Sequence, residues 1–116
     1  MHAKSRKFLY DVLQAAGAIS GFVANKTRED YEADWMLRSA VERQFGIIGE
    51  ALSQLRSIDP SVAVQVTGVN RIIAFRNIIV HGYSSVDSDI VWDAAQKSLG
   101  LLREEVERLL RVDEEP

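Results

Sequence analysis

The residues that suit chemistry in this 116-residue chain are concentrated in one segment, residues 76–83. Its polar members, set among isoleucine, valine and glycine, are Arg76, Asn77, His81 and Tyr83. Each of them alone has an ordinary structural explanation, such as an ion pair between helices or a positive charge near a helix C-terminus. Four polar residues within eight positions are harder to explain, because a buried polar group costs free energy unless it is hydrogen-bonded. We therefore interpret this segment as the candidate functional site.

The side chains of this segment fit cleavage of a phosphodiester bond. Imidazole exchanges protons near neutral pH, so His81 is the candidate group for proton transfer. Arg76 can hold two phosphate oxygens and offset the charge that develops in the transition state. Asn77 can orient the histidine or a phosphate, and the Tyr83 hydroxyl can donate a hydrogen bond or accept a modifying group.

The sequence gives little support for other kinds of catalytic centre. The chain has no cysteine and two histidines, and His2 lies near the N-terminus, where we expect a mobile segment. No carboxylate has a histidine partner at metal-ligand spacing, so we expect no metal site. The sequence also lacks a glycine-rich phosphate loop and a nucleophile elbow.

Helical geometry sets a condition on the candidate site. At ~100° per residue, Asn77 and His81 share one face of a helix, whereas Arg76 and His81 are separated by roughly 140° around its axis. Three arrangements can bring the arginine and the histidine together. They are a distorted last turn at Gly82, a long reach by the arginine, and a second copy of the segment from a partner chain.

The spacing of apolar residues predicts that helices position this segment. Apolar residues recur at intervals of three and four, and strand-like alternation is nearly absent. We expect an all-α fold, an antiparallel bundle of four long helices plus a short helix. The whole chain, residues 1–116, forms one domain in this interpretation, with an acidic tail at about 113–116 that is frayed.

The first half of the chain predicts two long helices. The first has an apolar stripe from Phe8 to Phe22 and ends near Asn25. The second begins with a capping box at Thr27 and runs to about Ser57, with Trp35 beside its apolar stripe. Two glycines in this helix, Gly46 and Gly49, indicate close packing against another helix or a kink.

The second half predicts a short helix and two long ones. A short helix follows the break at Asp59-Pro60, within residues 61–66. The helix of the candidate site begins near Gly68 or Asn70 and stops at Gly82, because glycine is common just past a helix end. After a loop, Asp87 is an expected N-cap. The last helix carries an unbroken apolar stripe, with charged residues on its other face. The stripe residues are Trp92, Ala95, Leu99, Leu102, Val106 and Leu109.

Composition limits the classes of function. The formal net charge of −3 argues against a broad, charge-driven nucleic-acid binder but leaves room for a local phosphate site. No apolar run approaches the ~20 residues that cross a membrane, and the basic N-terminus is not followed by the apolar core of a secretory signal. A chain without cysteine fits a reducing compartment, so we expect a cytoplasmic protein.

The motif Arg76-x4-His81-x-Tyr83 resembles that of the HEPN superfamily. The chain is most similar to its HepT-like (DUF86) branch, the toxin half of MntA–HepT toxin–antitoxin pairs. Residues 47–52 resemble that family's second-helix signature, and Val86-Asp87 with Val91-Trp92 resembles the start of its last helix. The resemblance covers about residues 5 to 112. One departure is that many relatives carry a tryptophan shortly before the motif helix, where residues 66–69 here read Val-Thr-Gly-Val.

The resemblance implies a homodimer in which the two motif segments face a shared cleft. It implies a metal-independent endoribonuclease that is toxic to the cell, with Arg76 and His81 as catalytic residues and Asn77 in support. It implies that cleavage of RNA needs no cofactor. The resemblance also implies a partner, a nucleotidyltransferase antitoxin that transfers AMP from ATP to Tyr83 and thereby blocks the cleft.

Two other functions remain open from the sequence. The acidic net charge favours a non-catalytic dimeric module that binds a nucleotide, RNA or a nucleotidyltransferase partner without cutting RNA. A purely structural bundle is the other alternative, in which alanine at Arg76, His81 and Tyr83 changes stability alone.

Overall fold

The computed structural model describes residues 1–82 and 86–115. The described residues form α-helices and no strand, so the prediction of an all-helical chain is confirmed. In chain order these helices are α1 (Ala3–Val23), α2 (Arg28–Ala33), α3 (Trp35–Ile58), α4 (Pro60–Ala63), α5 (Val69–Gly82), α6 (Ser88–Lys97) and α7 (Leu99–Glu114). No helix within the described ranges is long and apolar enough to cross a membrane.

Helix α3 is central to the packing, because it lies against both α1 and α5, while α7 packs on α1. The apolar faces of these helices form one buried core. Its fully buried members include Leu9, Val12, Ile19, Val41, Ile48, Leu52, Leu55 and Val106. The expected stripe of α1 is correct except at its end, where Phe22 is exposed and Val23 is buried instead. Burial of aliphatic side chains on this scale is the main driving force for such a fold.

Helices α3 and α5 run in opposite directions. Arg56, near the end of α3, donates to the Oδ1 atom of Asn70, near the start of α5, at 2.8 Å. Glu50, further back in α3, pairs with Arg76, further along α5, at 2.8 Å. This antiparallel pair is the frame that holds the candidate site.

The capping box at Thr27 is confirmed, but the single helix predicted from there to about Ser57 is wrong. The Thr27 hydroxyl accepts from the Asp30 N–H at 3.1 Å, and the Thr27 N–H donates to the Asp30 carboxylate at 2.9 Å. Helix α2 then ends at Ala33, because Asp34 adopts an extended conformation and its carboxylate accepts from the Leu37 N–H at 3.0 Å. Aspartate competes for backbone groups in this way and so favours caps over helix interiors.

Trp35 was also predicted wrongly. We expected it beside the apolar stripe of the second helix, but it is 77% exposed at the first position of α3. Trp35 is the first residue of α3 and lies two positions before Leu37, so the two are separated by about 200° around the helix axis and Trp35 faces away from the stripe.

The prediction of one unbroken last helix is also wrong, although its apolar stripe is buried as expected. The helix is interrupted at Ser98, where φ is −102° and ψ is −22°. The Leu102 N–H still reaches the Ser98 carbonyl, but at a long 3.4 Å. Serine at 98 and glycine at 100 both have low helix propensity, which explains why the distortion falls here.

Both ends of the described chain make contacts that the sequence did not indicate. The tail from residue 113 was expected to be frayed, whereas α7 continues to Glu114. Arg6 of α1 pairs with Asp113 and with Glu114, each at 2.6 Å. His2, expected in a mobile segment, is the N-cap of α1, and its Nδ1 atom accepts from the Lys4 N–H at 3.0 Å.

A buried carboxylate fixes the entrance to helix α5. Glu105 of α7 is only 9% exposed. Its two oxygens accept from the Thr67 N–H at 2.9 Å and from the Thr67 hydroxyl at 2.7 Å. Gly68 follows with a φ of +71°, a conformation that glycine adopts without strain, and α5 begins at the next residue. The start of the candidate-site helix is therefore attached to α7.

Candidate active site

Helix α5 carries the candidate site and has two distinct faces. Val69, Ile73 and Ile79 are buried, whereas Asn77 and His81 are exposed. The helix extends to Gly82 as predicted. Tyr83, the last residue of the motif, lies outside the described residues.

Arg76 lies on the face of α5 that packs against α3, directly opposite Gly49. A Cβ atom added at Gly49 would lie 2.1 Å from the Cβ and 2.5 Å from the Cγ of Arg76, well inside van der Waals contact. The absence of a side chain at 49 therefore creates the space that the arginine stem occupies. Of the two interpretations of the helix glycines, close packing is confirmed for Gly49. A Cβ atom added at Gly46 would have no packed neighbour within 4 Å in the described chain, apart from the adjoining residues and backbone of α3 itself.

The guanidinium of Arg76 is held by two acceptors. Its Nη2 atom pairs with the Oε2 atom of Glu50 at 2.8 Å, and its Nη1 atom donates to the Oδ1 atom of Asn77 at 2.9 Å. The Nε atom is buried and has no hydrogen-bond partner among residues 1–82 and 86–115. The side chain as a whole is 26% exposed, so the arginine is reachable from solvent but not free to move.

Glu50 is the residue of this site that the sequence did not assign a role. It lies within the segment 47–52 that carried part of the family resemblance. Its neighbour Gly49 was the available signal, since a helix glycine that permits close approach brings the next residue near the facing helix. Which residue of that helix it would meet depends on the antiparallel register of α3 and α5.

His81 is exposed in the last turn of α5, and its side chain makes no hydrogen bond or ion pair with any residue that the structure describes. The helix remains regular through Gly82, so the last turn is not distorted in the way that would rotate His81 towards Arg76. Nor does Arg76 reach round the helix, because its guanidinium is turned to Glu50. The structure thus brings Arg76 and Asn77 together and leaves His81 apart from them.

Asn77 accepts a hydrogen bond from Arg76 through its Oδ1 atom. Its expected role, to orient the histidine or a phosphate, stays a prediction. The residue is exposed, and its amide nitrogen donates no hydrogen bond to any residue that the structure describes.

The start of α6, which follows the motif, is anchored to α2. Asp87 caps α6 as predicted, accepting from the Asp89 N–H at 2.9 Å. Arg28 of α2 reaches both Asp89, at 2.7 Å, and Asp93, at 2.8 Å. The hydrogen bond from the Arg28 guanidinium lowers the pKa of the Asp89 carboxyl, so this link stays charged at neutral pH.

Comparison with known proteins identifies the family of the chain. The chain belongs to the ribonuclease HepT-like family, whose model matches residues 12–109. Among curated proteins it is similar to "Putative RNase MJ1380" of Methanocaldococcus jannaschii, with 28% identity over 88% of this chain and 93% of the relative. "Putative RNase MJ1216" of the same organism is 26% identical over 91% of this chain and 87% of the relative. No solved structure matches the chain significantly. Family and relatives together support a function of the ribonuclease type.

The contact at Gly49 predicts opposite effects for two alanine substitutions in α3. Gly49→Ala should destabilise the protein by about 1–3 kcal/mol, because its Cβ collides with the fixed base of the Arg76 side chain rather than with a flexible end. Gly46→Ala, where space is open, should stabilise it by up to about 1 kcal/mol through helix propensity. Urea unfolding of both variants measures the difference. Equal stability of the two would show that α3 and α5 do not approach closely at Gly49.

Proposed function

We propose that this protein is a metal-independent endoribonuclease and the toxin of a toxin–antitoxin pair, with Arg76 and His81 as its catalytic residues. The observation that carries the proposal is the Arg76-x4-His81 motif in a member of the ribonuclease HepT-like family, with the arginine fixed and the histidine exposed. Arg76 binds the phosphate and offsets the charge of the transition state. His81 transfers a proton to or from a reacting oxygen.

The acting unit in this proposal is a homodimer, because one chain leaves Arg76 and His81 on different faces of α5. A second copy can place its own His81 beside Arg76. An open apolar groove of about 370 Å³ between α3, α5, α6 and α7 supports self-association. Phe75 of α5 lines it, together with Ile90 and Leu101, which are 56% and 51% exposed. Exposed apolar residues around a groove are typical of a surface that another chain covers.

Control of the nuclease is assigned to Tyr83. A nucleotidyltransferase antitoxin transfers AMP from ATP, so the tyrosine oxygen bonds to the α-phosphorus, the hydroxyl proton leaves and pyrophosphate is released. Each AMP adds negative charge two residues from His81. Such charge repels the RNA backbone and occupies the space beside the histidine.

Removal of the His81 imidazole should abolish RNA cleavage. Wild-type protein is expected to cut single-stranded RNA in the presence of EDTA, and His81→Ala to lose at least ~100-fold in rate, the usual effect of losing a general acid or base. His2→Ala is the control, since His2 only caps α1. The measurement is cleavage of a labelled RNA by folded dimers. Cleavage that survives in His81→Ala contradicts the proposal, and a folded wild-type dimer that binds RNA or a nucleotide without cutting supports the non-catalytic alternative.

A site shared between two chains should show complementation. Arg76→Ala and His81→Ala are each expected to be inactive alone, but a mixed dimer has one site in which both residues are intact. Statistical assembly of co-expressed chains should therefore restore about a quarter of wild-type activity, because half of the dimers are mixed and each has one good site. Activity of the purified mixture is compared with that of each variant alone. A mixture as inactive as its components would place Arg76 and His81 of one chain in the same site.

Modification should depend on the motif tyrosine. Co-expression with the cognate nucleotidyltransferase should add AMP units that appear in the intact mass and are absent in Tyr83→Phe. Tyr10→Phe serves as the control, because Tyr10 is 49% exposed on α1. Loss of AMP in both variants, or in neither, would show that Tyr83 is not the acceptor.

A further inference from the structure

The ion pair between Glu50 and Arg76 has no part in the reaction as proposed above. It joins α3 to α5 at the residue that binds the phosphate, and its Nη2–Oε2 distance is 2.8 Å. Glu50 is itself 50% exposed, so it lies at the surface where RNA would approach. This carboxylate can affect Arg76 in two ways, by orienting its guanidinium and by neutralising its charge.

Glu50 is well placed to orient the arginine. Its second oxygen, Oε1, accepts from the Nε2 atom of Gln54 at 3.1 Å, so the carboxylate is held from both sides. The aliphatic stem of Arg76 fits the space above Gly49, and Asn77 accepts a hydrogen bond from a second N–H of the guanidinium. An arginine has five N–H donors. With one used on each terminal nitrogen, Nη1 and Nη2 each keep one N–H for phosphate oxygens.

Glu50 also neutralises the arginine. A phosphate that approaches Arg76 meets a guanidinium already paired with a carboxylate, and like charges repel. This should weaken RNA binding, because affinity for a polyanion grows with the number of uncompensated positive charges. The orienting effect and the neutralising effect therefore act in opposite directions on catalysis and on binding.

We propose that Glu50 is a positioning residue, which orients the Arg76 guanidinium for the transition state and weakens the binding of RNA in the ground state. The proposal rests on the proposed function, since it assigns Arg76 to the phosphate. It places Glu50 in the site without contact to the reacting atoms. Glu50→Gln keeps an oxygen acceptor and loses the charge, whereas Glu50→Ala loses both. The effect on the orientation of Arg76 and the effect on RNA binding can therefore be measured separately.

The test compares kcat and KM of Glu50→Ala and Glu50→Gln. Glu50→Ala should lower kcat by roughly 10–100-fold, the scale expected when a catalytic group is misplaced. Glu50→Gln should recover most of that loss and lower KM by about 3-fold, because the amide still accepts from Arg76 without opposing phosphate. The plot of log affinity for RNA against log salt concentration should also become steeper by about 0.7, the change expected when one more phosphate of a single strand is neutralised. Glu104→Gln, an exposed residue of α7, controls for the change in net charge.

A second measurement does not depend on cleavage. Hindered rotation of the Arg76 terminal nitrogens, detected by 15N NMR of the guanidinium, should be present in wild type and Glu50→Gln and lost in Glu50→Ala. Wild-type kcat together with unchanged Arg76 signals in Glu50→Ala would overturn the proposal. If Glu50→Ala does not fold, a salt slope and affinity in Glu50→Gln equal to those of Glu104→Gln overturn it. If wild type cuts no RNA, the proposed function fails, while the NMR signals still decide whether Glu50 orients Arg76.

Discussion

Helices α3 and α5 approach each other at Gly49, and the site depends on that contact. A helix pair normally keeps the facing backbones apart by the width of their side chains. Here one partner contributes only a hydrogen atom, so the stem of Arg76 can lie against the backbone of α3. The charged end of the arginine then meets Glu50 on the same helix. A residue that is usually mobile becomes a fixed part of the fold, as the proposed phosphate-binding role of Arg76 requires.

The parts of the fold that follow from local chemistry could be predicted from the sequence. The capping box at Thr27 and the cap at Asp87 depend on residues two or three positions away, and both are present. The break at Ser98 is also local, but it competes with an apolar stripe that continues across it. The stripe outweighed the break in the prediction, while in the structure the helix is interrupted and the stripe stays buried on either side. The break at Asp34 is local too, but the cap that Asp34 provides was not recognised in the sequence.

The candidate site likewise has some features that could be predicted from the sequence and others that could not. Its residue types and the 140° separation of Arg76 and His81, estimated from helix geometry, needed only the sequence. The regular course of α5 to Gly82 agrees with that separation. The pairing of Arg76 with Glu50 could not be predicted, because the two are 26 residues apart (76 − 50) and meet only through the register of two antiparallel helices.

The attachment of Thr67 to Glu105 has a consequence for the dynamics of α5. This helix is tied to α7 just before its first turn and to α3 near its middle, whereas the His81 side chain makes no hydrogen bond or ion pair within the described chain. Its resistance to local unfolding should therefore decrease from the N-terminal end towards the C-terminal end. Under the proposed function, such a helix holds the phosphate-binding Arg76 more firmly than the proton-transferring His81.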